Sequence, residues 1–260
     1  MARCMSLIFL AAVAVPVLSV GLPVPDAARS VRPGGPMRPA QATGHDAVRQ
    51  ARRTVSANWS GYASAGRAFR SVSASWTQPA AHCRHGTAKH GAAYASFWVG
   101  LDGYRSPSVE QIGTDADCRG RTARYYGWYE MYPAPPVRLG REVRPGDKLS
   151  AAVTFGAAST YTLVLTDRTR GWKHTVTRKR AGLARSSAEV ITEAPSSAGG
   201  VVPLADFGTV RFTAARVNGI LLRRHSPTKI VMVDRRSRRK DTTSALSRAG
   251  SFRTTWLRSG

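Results

Sequence analysis

Two acidic side chains lie in stretches where water is hard to reach, and such carboxyls can do proton chemistry. The first is Glu130, in Tyr125-Tyr126-Gly127-Trp128-Tyr129-Glu130-Met131-Tyr132-Pro133. Strand alternation sends Tyr126, Trp128, Glu130 and Tyr132 to one face and Tyr125, Gly127, Tyr129 and Met131 to the other. An acid on an aromatic face is desolvated, so it must be hydrogen-bonded or have its proton affinity raised. The second is Glu189, in the strand-like Ala188-Glu189-Val190-Ile191. The chain has 39 Lys and Arg against 15 Asp and Glu, so an acid placed inside a strand calls for a physical account.

Other constellations carry less. His82-Cys83-Arg84-His85 with His90 has metal-ligand residue types, but the matching second half is missing because Cys118 stands alone. A disulfide-tethered loop is the better reading. Asp115 and Asp117 lack the rest of a calcium ligand set. Asn58-Trp59-Ser60 is a formal glycosylation sequon on an expected core strand. Ser, His and acid residues are all present, yet nothing places them as a triad. There is no Walker loop, dinucleotide fingerprint, HExxH or GxSxG elbow. Neither a cofactor nor a metal is expected.

The elements that must position these residues read as strands. Candidates are 57–63, 71–76, 93–101, 108–113, 124–132, 148–155, 160–167, 173–179, 188–192, 209–217, 229–233 and 251–256. Turn signals such as Asp102-Gly103, Pro145-Gly146-Asp147 and Arg170-Gly171 separate them, and no long amphipathic helix competes. The pattern predicts an all-β, two-sheet antiparallel sandwich over residues 55–260.

Residues 1–21 read as a signal peptide: Arg3, an apolar run from Leu7 to Val20 broken by Pro16, and small residues at the exit. Cleavage is expected near Gly21, with Ala28 as the fallback and an uncleaved anchor as the competing reading. Residues 22–54 are rich in Pro, Ala, Gly and Arg, a linker or pro-segment composition with no obvious inhibitory element. Cys4 falls in the signal, which leaves Cys83 and Cys118 to pair in a secreted protein; two buried free thiols are the alternative. The closed loop would stabilise the fold by roughly 3 to 4 kcal/mol in the chain-entropy model.

The formal charge of +24 suggests nucleic acid as a partner. The basic residues, however, are spread along the chain and not gathered into one arm. The densest run, Arg235-Arg236-Ser237-Arg238-Arg239-Lys240, reads as a solvated hairpin turn. The expectation is a monomer with a basic surface that adheres nonspecifically to anionic cell-surface polymers. No specific nucleic-acid partner, and no membrane after signal cleavage, is expected.

Six short motifs occur in order: Asn58-Trp59-Ser60-Gly61-Tyr62, Trp98-Val99-Gly100-Leu101-Asp102-Gly103, Glu110-Gln111-Ile112-Gly113, Trp128-Tyr129-Glu130-Met131-Tyr132-Pro133, Ala188-Glu189-Val190-Ile191 and Ala205-Asp206-Phe207-Gly208. Together they resemble the eqolisins, the glutamic endopeptidases of peptidase family G1. That resemblance implies a concanavalin A-like jelly roll with a peptide lying across a concave sheet. It implies a catalytic pair, Gln111 and Glu189. Glu130 and Asp102 match supporting acids, while Trp98 and Trp128 match aromatics lining the cleft. It further implies a secreted, acid-acting endopeptidase whose substrate is a protein or peptide. Judged singly, Gln111 would be a solvent-facing strand residue, Glu189 an ion-pair partner, and the tryptophans core.

The second function class is a non-catalytic concanavalin-like module that binds a glycan or an anionic polymer. The joint presence of Gln111 and Glu189 favours the enzyme. Two departures stand out. The chain is strongly basic where compared fungal members are acidic, so self-repulsion at low pH is expected to be larger. Glu110 stands where an apolar residue is common, and alternation points it to the face opposite Gln111.

Overall fold

The computed structural model describes Met37, residues 53–83 and residues 91–260. The expected signal peptide, and His85 and His90 of the histidine cluster, lie outside the described residues.

Two sheets carry the fold. The first runs in the order Arg53–Ser56, Thr228–Met232, Trp59–Ala65, Ser187–Glu193, Ser96–Leu101, Val109–Arg119, Thr122–Tyr132, Val137–Arg138, with Ala92–Ala93 paired to Val109–Arg119. The second runs Trp172–Lys179, Thr160–Asp167, Lys148–Phe155, Ser71–Thr77, Thr209–Val217, Phe252–Trp256, Asp241–Thr243, with Ile220–Leu221 on Thr209–Val217. Arg53–Ser56 pairs with Thr228–Met232 in parallel. The other strand ladders among the described residues are antiparallel, and the architecture is a β-sandwich.

The two sheets are built from different patterns. In the second, burial alternates residue by residue, as in Thr160–Asp167, so one face meets the core and the other water. In the first, Ser96–Leu101 and Ser187–Glu193 are buried at every position. The inner face of this sheet supplies Phe97, Val99, Leu101, Ile112 and Val190 to the core shared with Val72, Trp76, Leu149, Val153, Leu163 and Phe212. Its outer face carries a separate cluster of Trp59, Ala63, Trp98, Tyr104, Val109, Trp128, Ile191 and Ile230. Trp59 and Trp98 meet edge to face, centroids 4.9 Å apart, an arrangement that contributes about 0.5–1.5 kcal/mol beyond its buried area.

The strand boundaries predicted at 148–155, 160–167 and 209–217 coincide with the observed ones. The strand expected to end at Gly113 runs on to Arg119 and carries Asp115 and Asp117 inside the sheet. The basic run also needs a correction. Arg235 to Arg239 are exposed, but Lys240 is buried at 3% exposure, and its ammonium is lowered to about 8, mainly by desolvation. Cys83 and Cys118 are disulfide-bonded, with Cα atoms 5.3 Å apart, tying the 81–83 loop to the end of the long strand.

Candidate active site

Register places the sequence-predicted residues on the outer face of the first sheet. Glu130 pairs with Gln111, Gln111 with Gly100, Gly100 with Glu189, and Glu189 with Ala63. Directly opposed residues share a face, so Glu189, Gln111 and Glu130 project to one side of a single cross-strand row. Glu189 and Gln111 stand two strands apart, roughly 10 Å at the normal interstrand spacing. Between them Gly100 contributes no side chain. A Cβ there would lie 2.9 Å from Cζ3 of Trp98 and 3.2 Å from Cβ of Gln111, so the position tolerates little beyond glycine.

Each flanking row repeats the logic of the strand pleat. Next to the row of acids and amide comes Trp128, Gly113, Trp98, Ile191, Gly61, Ile230. Behind that come Tyr126, Asp115, Ser96, Glu193, Trp59. Thus Trp98 and Trp128 lie on the same face as Glu189 and Gln111, and the face assignment of the Tyr125–Tyr132 stretch holds.

Glu189 is fully buried, and neither carboxylate oxygen meets a donor at hydrogen-bond geometry among the described residues. Desolvation is the main force pushing its carboxyl well above the ordinary range. Asp102 and Glu110 add repulsion, which the nearby Ser187 side chain and Tyr104 backbone partly offset. Gln111 donates from Nε2 to Oε2 of Glu130 at 2.7 Å, and both residues are fully buried. Asp102, in the left-handed region at φ 68°, accepts from the Arg185 N–H at 2.7 Å and the Ser186 N–H at 2.8 Å. It also accepts from the Ser186 hydroxyl at 3.0 Å. It therefore staples the turn after Ser96–Leu101 to the entry of Ser187–Glu193, the strand that carries Glu189.

Glu110 points the other way, as alternation requires. It is fully buried on the face opposite Gln111, and neither oxygen meets hydrogen-bond geometry among the described residues. Burial raises its carboxyl to about 8, with Asp102 adding to the rise and Arg180 and Ser108 opposing it. The 0% exposure of Glu189, Gln111, Trp98 and Trp128 means that this face is covered. Met37 packs against the aromatic cluster, and its backbone N–H donates to the Gly103 carbonyl at 3.1 Å.

Three contributors escaped the sequence reading. Glu193, the residue four beyond Glu189, accepts from the Trp98 indole at 2.9 Å and from the Asn58 amide at 3.3 Å. Asp115 accepts from the Trp128 indole at 2.5 Å, and Asp117 from the Tyr126 hydroxyl at 2.8 Å. Burial raises Asp115 to about 6. Both aspartates are thus committed to aromatic neighbours. The signal that would have found all three is the period of two itself: 111, 113, 115 and 117, like 189, 191 and 193, fall on one face.

Comparison with known proteins places the chain among its relatives. A family model described as the Peptidase A4 family matches residues 57–255. Aspergillopepsin-2 of Aspergillus niger is 28% identical over 179 residues, 62% of this chain and 64% of its own length. The chain therefore spans just under two thirds of that relative. The crystal structure of scytalido-glutamic peptidase with a transition state analog inhibitor superposes with a TM-score of 0.65 at 25% identity, covering 77% of this chain and 98% of that one. Aspergilloglutamic peptidase from Aspergillus niger gives a TM-score of 0.55 at 26% identity over 64% of this chain and 99% of its own. With the family match spanning nearly the whole sandwich, and with solved glutamic peptidases sharing its fold, this chain belongs to the Peptidase A4 family, the eqolisins.

Proposed function

We propose that the chain is a secreted endopeptidase that hydrolyses peptide bonds of proteins or peptides at acid pH, with Glu189 as general base and Gln111 as oxyanion donor. The observation that carries the reading is the row Glu189, Gly100, Gln111, Glu130, which sets a carboxyl and an amide on either side of the gap left where Gly100 has no side chain. A peptide bond over Gly100 and a water beside Glu189 would fill that gap.

In this mechanism the Glu189 carboxylate takes a proton from water as the water oxygen attacks the carbonyl carbon. The developing oxyanion accepts from an N–H of Gln111, a contact of about 3 to 4 kcal/mol by analogy with known oxyanion donors. Glu130 holds the amide plane by accepting from Nε2. Glu189 then returns the proton to the amide nitrogen as the carbon–nitrogen bond breaks, so the amine leaves neutral. Trp98 and Trp128 flank the substrate path.

Residues 22–54 fit this scheme as a pro-segment. Met37 lies on the aromatic cluster beside the row and bonds to Gly103 as a substrate backbone would. Burial favours the protonated form of the Glu189 carboxyl, and in that form it does not accept a proton from water. Of this segment, Met37, Arg53 and Thr54 are among the described residues. Digestion of a denatured protein by the processed chain across pH, with sequencing of the fragments, tests the proposal.

A further inference from the structure

Trp98 does more than line a wall. Its indole leans along the Ser96–Leu101 strand, so that a Cβ on Gly100 would come within 2.9 Å of its Cζ3. Gly100 is the residue between Glu189 and Gln111, and the ring is therefore the floor of the gap between them. The opposite edge of the indole is tied down. Its Nε1–H donates to Oε2 of Glu193 at 2.9 Å, and Oε1 of Glu193 accepts from the Asn58 amide at 3.3 Å. Asn58 is itself fixed, its Oδ1 accepting from the Ser56 hydroxyl at 3.0 Å. Ser56, Asn58, Glu193 and Trp98 are all fully buried, so this is an internal relay of position and not a surface contact. The pattern recurs once, in Trp128 and Asp115.

A buried carboxyl costs stability unless it has partners, and two of the partners of Glu193 are the Trp98 indole and the Asn58 amide, so the carboxyl ties the ring to the strand entry at Ser56–Asn58. We infer that Glu193 is a positioning residue, which acts through the Trp98 indole to fix the floor between Glu189 and Gln111. The inference rests on the reading of Glu189 and Gln111 as the reacting pair. Displacing a group that aligns reacting atoms by about 1 Å costs roughly 100-fold in rate, which sets the scale of the loss expected when the indole is released. The same relay accounts for Asn58, whose sequon is spent on an internal hydrogen bond.

The test compares the processed wild type with Glu193→Ala, Glu193→Gln, Trp98→Phe and the double variant Glu193→Ala/Trp98→Phe. It reads kcat and KM on a peptide and the Trp98 indole proton by NMR, assigned from its loss in Trp98→Phe. Glu193→Ala and Trp98→Phe are each expected to lower kcat by about 100-fold at nearly constant KM. The double variant is expected to be no worse than either single, because both break one link. Glu193→Gln, which keeps an acceptor oxygen, is expected to recover most of the rate. In the wild type the indole proton is downfield and slow to exchange, and in Glu193→Ala it moves upfield and exchanges faster.

Wild-type kcat in Glu193→Ala, multiplying losses in the double variant, or an unmoved indole proton would each overturn the inference. If Glu193→Ala does not fold, Trp98→Phe decides, since full kcat in that variant contradicts the role. A wild type that cleaves nothing overturns the peptidase reading instead. The indole signal still decides whether Glu193 holds the ring.

Discussion

Gln111 and Glu130 are directly opposed across two strands and joined side chain to side chain, Nε2 to Oε2 at 2.7 Å. That bond resolves the desolvation that an acid in an aromatic strand would otherwise suffer, because a buried carboxyl that accepts an amide N–H has its partner. It also fixes which way the Gln111 amide faces. The acid that first draws attention in the sequence is thus the orienter of a neighbouring amide, and the proposed proton acceptor is Glu189 on the far side of Gly100.

Replacing Glu130 tests that division of labour. Glu130→Gln keeps the shape and loses the acid, so kcat should fall by about 10-fold and the pH profile should shift, while cleavage persists. Steady-state rates across pH check it. A Glu130→Gln variant as inactive as Glu189→Gln would make Glu130 part of the reacting pair.

Gly100→Ala probes the gap itself. The added methyl would sit 2.9 Å from the Trp98 ring and 3.2 Å from Gln111 Cβ, so one of the two must shift. The fold should survive with a loss of about 1–3 kcal/mol, the usual cost of overpacking, while kcat drops roughly 100-fold. Thermal melting and peptide kinetics on the same preparation separate the two effects.

Stability should fall as pH rises from mildly acid to alkaline. Glu110 is raised from 4.5 to about 8, Asp241 from 3.8 to about 7 and Asp115 from 3.8 to about 6, each chiefly by burial. A carboxyl whose folded pKa lies above its unfolded value favours folding below the unfolded pKa, and that contribution is lost as pH rises through the folded one. The window is therefore about pH 4 to 8. Glu110 is fully buried, and its share is on the order of a few kcal/mol. Glu110→Leu should leave the melting temperature near pH 4 almost unchanged and raise it by roughly 5 to 10 °C near pH 8. Melting curves at the two pH values check the difference.

The Cys83–Cys118 bridge closes a loop of sequence separation 35. Replacing both cysteines with serine should cost about 3 to 4 kcal/mol in denaturant unfolding. Because the bridge lies at the end of the Val109–Arg119 strand away from Gln111, kcat at a temperature where the variant is folded should be little changed.

Most of the sandwich was legible because its second sheet obeys strict alternation, as Thr160–Asp167 shows. The first sheet was harder, being buried on both faces, so polar residues inside it looked like turn residues. Asp115 and Asp117 made the Val109–Arg119 strand seem to stop at Gly113, although each is matched by an aromatic donor on the neighbouring strand. Arg53–Ser56 was missed because its parallel partner, Thr228–Met232, is far away in sequence and no hairpin announces it. The pairing of Glu189 with Gln111 through Gly100 could not come from spacing alone, since it depends on a register between strands distant in the chain. Only motif resemblance put those two residues together. The period of two puts Glu193 on the face of Glu189, but its bond to the Trp98 indole stayed hidden because nothing in a sequence marks which tryptophan an acid will hold.

The most direct measurement is digestion of a denatured protein at acid pH by the purified, processed wild type, Glu189→Gln and Gln111→Ala, each first verified as folded by circular dichroism. The account predicts peptide fragments from the wild type and none above background from either variant. Wild-type cleavage by a folded Glu189→Gln or Gln111→Ala protein would contradict it.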